Sequence, residues 1–203
     1  MSIKKYCMHL VVLSFSAFIL GIGCVFFIQA MLGSDAMTTF SQGLSEVLPF
    51  SLSICYAGLN FAMFFIALII DRKQVGLGTL VFPIVSAQSI DISMNYIPVF
   101  YGMLSRIVGF VFGMVLIAFA VALASRTECG KNPNDAMNFS LMGVFKRKYN
   151  VVRGITDALM LGSGIILGGK WGVGQLLLFY VLVQLLCFLW IVLISFHFFK
   201  KCL

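Results

Sequence analysis

Gly33-Ser34-Asp35-Ala36-Met37 decides the reading of this chain, because it returns one hundred residues later as Pro133-Asn134-Asp135-Ala136-Met137. Each copy follows a long apolar run and opens a short segment of mixed polarity. A second echo accompanies each: Val75-Gly76-Leu77-Gly78-Thr79, then Trp171-Gly172-Val173-Gly174-Gln175, displaced by 96 residues. Two offsets this close imply one structural unit written twice, over 1–98 and 99–203, within a single membrane domain.

Composition places the unit in a bilayer. The 203 residues are 61% hydrophobic and 10% charged, with mean hydropathy +1.06, whereas a soluble domain carries about 25% charged residues. A spanning helix needs about 20 apolar residues to cross roughly 30 Å of hydrocarbon. Six stretches qualify, near 8–30, 51–70, 76–97, 101–124, 151–168 and 172–198. The third holds Gly76, Gly78, Pro83, Gln88 and Asp91, which predicts a broken or kinked helix. The intervals 33–48 and 126–150 each predict a short helix, lying at the interface or dipping into the membrane. In the first, Thr38, Gln42 and Ser45 share one side and Met37, Phe40, Leu44 and Val47 the other. In the second, Asn132 and Asn134 offer caps and Pro133 suits a first helical position.

Charge sets the orientation. With the N-terminus inside, twelve of the fourteen Lys and Arg residues fall at inner ends: Lys4, Lys5, Arg72, Lys73, Arg126, Lys131, Lys146, Arg147, Lys148, Arg153, Lys200 and Lys201. Arg106 and Lys170 fall outside. This asymmetry obeys the positive-inside rule and puts both termini in the cytoplasm. It also argues that the net charge of +7 serves topology and not nucleic-acid binding. Three spans per repeat is an odd number, so the second copy must insert upside down. The expected fold is therefore an all-α polytopic membrane protein: six spans in two inverted-topology three-helix repeats, each with a short helix after its first span. Such repeats are frequent in secondary transporters, whose sites lie near the midplane.

Several polar residues are candidates for a solute site. Asp35 and Asp135, with Ser34 and Asn134 beside them, stand at the starts of the short helices; simple helix capping is the plain alternative. Asp157 is an acid deep in an apolar run, a functional hypothesis by default. Arg153 lies one turn before it, so a local ion pair with Arg153 snorkelling outward is the competing reading. Asn60 holds the matching position in the first repeat, so Asn60 and Asp157 are expected to face one central space. Thr79 and Gln175 follow the Gly-x-Gly pairs, which lack the context of a phosphate loop and suit close helix packing. Asp91 and Arg106 flank the loop between repeats and are expected to pair. Cys7, Cys24, Cys55, Cys129, Cys187 and Cys202 show no metal-like spacing, and His9 and His197 are the only histidines, so no metal, cofactor or enzyme chemistry is expected.

The duplicated order of span, LGSDAM-like turn, short helix, span and VGLGT-like start of the next span resembles small bacterial integral membrane proteins of the YczE/YyaS/YitT type. Here these are Leu32–Met37 with Val75–Thr79, and Pro133–Met137 with Trp171–Gln175. Arg153 and Asp157 are similar to a basic and an acidic residue of that family's second repeat. Gln175, where threonine is more usual, and the Lys146-Arg147-Lys148 turn depart from it. The resemblance implies a permease-like protein of the bacterial cytoplasmic membrane and names no substrate. The expected partners are the bilayer and a small polar solute, with a homodimer or a membrane partner protein also open. Two alternatives remain at this level: a partner-dependent substrate-binding subunit like the S-component of a vitamin importer, and an accessory protein that engages a partner through Lys146–Lys148.

Overall fold

In a computed structural model, which describes residues 3–127, 129–170 and 172, the chain forms helices throughout. They are α1 (Ile3–Ala30), α2 (Ala36–Val47), α3 (Leu52–Ile70), α4 (Leu77–Tyr96), α5 (Met103–Ala124), α6 (Pro133–Phe145) and α7 (Tyr149–Ile166). A 3-10 turn, Arg72–Gln74, links α3 to α4. Helices α1, α3, α4 and α5 are long and apolar enough to cross a membrane. The expected sixth span and Gln175 lie outside the described residues. α4 is continuous through Pro83, so the expected break is absent; the Ser86 hydroxyl donates to the Phe82 carbonyl at 2.8 Å just after the proline.

Local chemistry explains the boundaries. Asp35 caps α2, its Oδ2 accepting from the Thr38 amide at 3.3 Å. Ser51 caps α3 and Asn132 caps α6, with Pro133 in the first turn of α6. α6 stops at Lys146, which takes the left-handed conformation at φ 50°. Each short helix buries its first turns and exposes its far end: Met37, Thr38 and Thr39 are buried against an exposed Val47, and Ala136, Met137 and Asn138 against exposed Val144 and Phe145.

α1 is the central post. Leu13, Ala17, Val25, Phe27 and Ala30 are almost wholly buried along it, and small residues let its neighbours approach. Gly23 of α1 meets Gly113 of α5, where a Cβ on Gly113 would sit 3.0 Å from the Gly23 carbonyl. The Ser16 hydroxyl donates to the Ala120 carbonyl at 2.7 Å, and Ser89 donates to the Phe18 carbonyl at 2.6 Å. These pairings fix direction. α4 runs parallel to α1, from Leu13 beside Gly78 to Gln29 Nε2 donating to the Ile97 carbonyl at 3.1 Å. α5 runs antiparallel, with Phe27 against Phe110 and Ser16 against Ala120.

The two segments exchange elements. α2 packs on α7 and α6 packs on α3. Gly76, before α4, closes against Cys129 and Gly130; Gly172 closes against Leu32 and Gly33. Gly33 and Gly130 both adopt positive φ, 110° and 126°, which only glycine accepts without strain. The Gly-x-Gly at 76–78 is therefore a packing element, with the Gly78 amide donating to the Cys129 carbonyl at 3.0 Å. The expected Asp91–Arg106 pair does not form. Arg106 Nε turns back to the Phe100 carbonyl at 3.2 Å, because the loop before α5 leaves that acceptor within its own reach.

Candidate functional site

The start of α7 meets the start of α6. Tyr149 Oη donates to Asp135 Oδ1 at 2.7 Å, and Arg153 Nη1 reaches the same oxygen at 2.9 Å and Tyr149 Oη at 2.8 Å. One turn further, Arg153 Nε lies 3.6 Å from Asp157 Oδ2. The side chains of Asp135, Arg153 and Asp157 retain only 15–17% exposure. Asp135 thus does not cap α6, contrary to the simple capping alternative. α6 begins at Pro133, which turns the Asp135 carboxylate onto α7 and leaves the cap to Asn132. The expected Arg153–Asp157 pair is present, with Asp135 as its nearer partner.

A polar ladder runs beside this triad. Asn138 Nδ2 donates to Asn134 Oδ1 at 2.9 Å, and the Thr156 hydroxyl donates to Asn138 Oδ1 at 2.7 Å. At the rim of the cluster, Lys131 Nζ stands 3.4 Å over the Phe139 ring and donates to Gln74 Oε1 at 2.7 Å. Burial pushes the Lys131 ammonium below its ordinary pKa, and the charges of Asp135 and Asp71 oppose that shift.

The start of α2 approaches from the other end of the bundle. Asp35, Thr38 and Tyr56 are the polar neighbours of Cys24, and Cys24, Asp35 and Asn60 surround the Tyr56 phenol. Among the described residues, four buried atoms here have no hydrogen-bond partner: Asp35 Oδ1, Thr38 Oγ1, Gln42 Oε1 and Asn60 Oδ1. An unmet buried acceptor costs about 1–3 kcal/mol, so four together on one face of α2 and on α3 are expensive for packing alone. Ser34 and Thr39 share a hydroxyl contact of 2.9 Å just behind.

Asp157 joins the two ends. It lies eight residues into α7, about 12 Å along its axis, within electrostatic reach of both Asp35 and Asp135. Asn60 does not reach it directly; Asp35 acts on Tyr56 on one side and on Asp157 on the other. Thr79 stands apart, its Oγ1 accepting from the Gly76 amide at 3.2 Å to cap α4.

Residues 7–183 match a family described as a family of unknown function, DUF6198. The chain belongs to that family. This DUF6198 protein is 28% identical to an uncharacterized protein of Haemophilus influenzae over 166 residues, covering 82% of this chain and 76% of the other. It is 25% identical to the uncharacterized protein YyaS of Bacillus subtilis over 162 residues, covering 78% and 81%. The resemblance to the YczE/YyaS type is thereby shown. No solved structure matches the chain.

Sequence reasoning missed several residues of this candidate site: Tyr149, Asn138, Thr156, Tyr56 and Cys24. Tyr149, Arg153 and Asp157 do follow an i, i+4, i+8 spacing, which marks one helix face, but a tyrosine at the end of an apolar run reads first as an interfacial anchor.

Proposed function

We propose that the protein is a small secondary transporter of the cytoplasmic membrane, carrying a small polar solute between two inverted halves. The carrying observation is the position of Asp157. The starts of α2 and α6 converge on it from opposite ends of α7, each bringing a carboxylate. Helix N-termini that meet near a midplane are how discontinuous-helix transporters hold solutes. In this reading α2 and α6 are re-entrant and α7 is the fifth span, despite Arg153 and Asp157. The exchange of α2 with α7 and of α6 with α3 supports a twofold relation between halves, as does the pairing of Gly76 with Gly130 and Gly172 with Gly33.

Electrostatics supports a site over a mere ion pair. Asp135 and Asp157 share one guanidinium, Asp35 adds a third carboxyl within reach of Asp157, and the N-termini of α2 and α6 each contribute about half a positive charge. The centre is left roughly one negative charge from neutrality, which favours a solute or co-substrate that is positively charged.

The test is thermal unfolding of the purified protein against a broad set of small metabolites, with Asp157→Asn and Asp135→Asn beside the native chain. A ligand at 100 times its Kd stabilises by about 2.7 kcal/mol. A metabolite that raises Tm in the native protein and not in either variant is the expected result, followed by its uptake in vesicles. No response from any metabolite, with both variants folded, would count against a solute site.

A further inference from the structure

We propose that Asp35, Thr38 and Asn60 bind one monovalent alkali-metal cation, probed as sodium, at a site distinct from the Asp135–Arg153–Asp157 cluster. Asp35 Oδ2 is committed to the Thr38 amide, but Oδ1 is buried with no partner. Thr38 Oγ1 and Asn60 Oδ1 likewise have no hydrogen-bond partner among the described residues, on side chains only 1% and 0% exposed. Gln42 Oε1 repeats the pattern one turn further along α2. The unmet atoms are all oxygens: one of a carboxylate, two of amides and one of a hydroxyl, which can donate as well as accept. Three of the four thus present lone pairs, a set that suits a cation better than an anion.

The chemistry narrows the ion. Hard oxygen donors without thiolate or imidazole suit alkali and alkaline-earth cations. One carboxylate, with neutral oxygens beside it, balances one charge and not two. Arg153 cannot supply that charge, because its guanidinium is held by Asp135, Tyr149 and Asp157. Tyr56 and Cys24 are the neighbouring polar groups, the phenol lying beside Asp35 and Asn60.

The inference needs no solute, so its outcome is separable from the transport reading. The full-length protein in detergent is melted in sodium, lithium, potassium, ammonium or choline chloride at equal ionic strength. Sodium is expected to raise Tm saturably where choline does not. Asp35→Asn keeps an N-cap acceptor and is expected to weaken half-saturation by at least tenfold. Thr38→Val and Asn60→Ala provide independent variants should Asp35→Asn fail to fold, each with a several-fold loss expected. Asp135→Asn is expected to keep the sodium response. Equal responses to sodium and choline would overturn the proposal and leave the four oxygens to water. A response to ammonium alone would overturn it in favour of an amine-bearing solute. An unchanged sodium half-saturation in the folded site variants would also overturn it.

Discussion

Arg153 holds three oxygens of opposite or polar character, and the consequences of removing each contact differ. Asp135 receives both Tyr149 and Arg153 at 2.7–2.9 Å, whereas Asp157 meets Arg153 only at 3.6 Å. Breaking a buried pair from one side costs about 3–5 kcal/mol when the remaining charge has no other partner. Arg153→Met leaves Asp135 and Asp157 beside Asp35 with no guanidinium, and is expected to lose stability at the upper part of what this cluster can give. Asp157→Asn removes a long, one-sided contact and is expected to cost about 1 kcal/mol or less. Thermal unfolding of the two variants checks the order. Equal losses would mean that Asp157, not Asp135, is the principal partner of the guanidinium.

The turn between α3 and α4 shows how one element end depends on pH. Asp71 closes α3, accepts from the Lys73 amide at 3.1 Å and receives Gln74 Nε2 at 3.1 Å. The Gln74 contact, the Lys73 amide and the nearby lysine charges hold its carboxyl below the ordinary value of 3.8. A carboxylate with a depressed folded pKa adds stability that is full above its unfolded pKa and is lost as pH falls through the folded value. The native protein should therefore lose Tm more steeply than Asp71→Asn between about pH 5 and 3, across the ordinary carboxylate range. Parallel profiles would remove Asp71 from the capping of this turn. The boundaries of such elements were legible in the sequence where their signals are local: Asn132-Pro133 before α6, and the end of the apolar run 51–70 at the charged Asp71-Arg72-Lys73 after α3. The role of Asp135 was not legible. Its motif matches that of Asp35, yet α6 starts at Pro133 and α2 at Ala36, and that shift in helix start converts a cap into an ion-pair partner.

At the scale of the whole molecule, the repeated motif foretold the two short helices and the order of the five long helices among the described residues, while contacts between segments stayed hidden. Asn138, Thr156, Tyr56 and Cys24 acquire meaning only when α6 packs on α3 and α7, and α2 on α1 and α3. Nothing within a window of one helix announces those encounters. The directions of the helices lead to the last prediction. α1, α4 and α7 run one way, and α3 and α5 return. Tyr101, 83% exposed in the loop between α4 and α5, then lies at the opposite end of the bundle from the exposed Lys146–Lys148 turn. If the charge bias sets insertion, Tyr101 faces the exterior and Lys146 the cytoplasm. Single-cysteine variants Tyr101→Cys and Lys146→Cys, in a background with the native cysteines replaced, separate these positions. In intact cells a membrane-impermeant thiol reagent is expected to label the first and spare the second, and inside-out vesicles should reverse the pattern. The helix directions require the two sites to differ whichever way the protein inserts. Labelling of both from one side would break the alternation of α4, α5 and α6, and with it the inverted relation of the two halves.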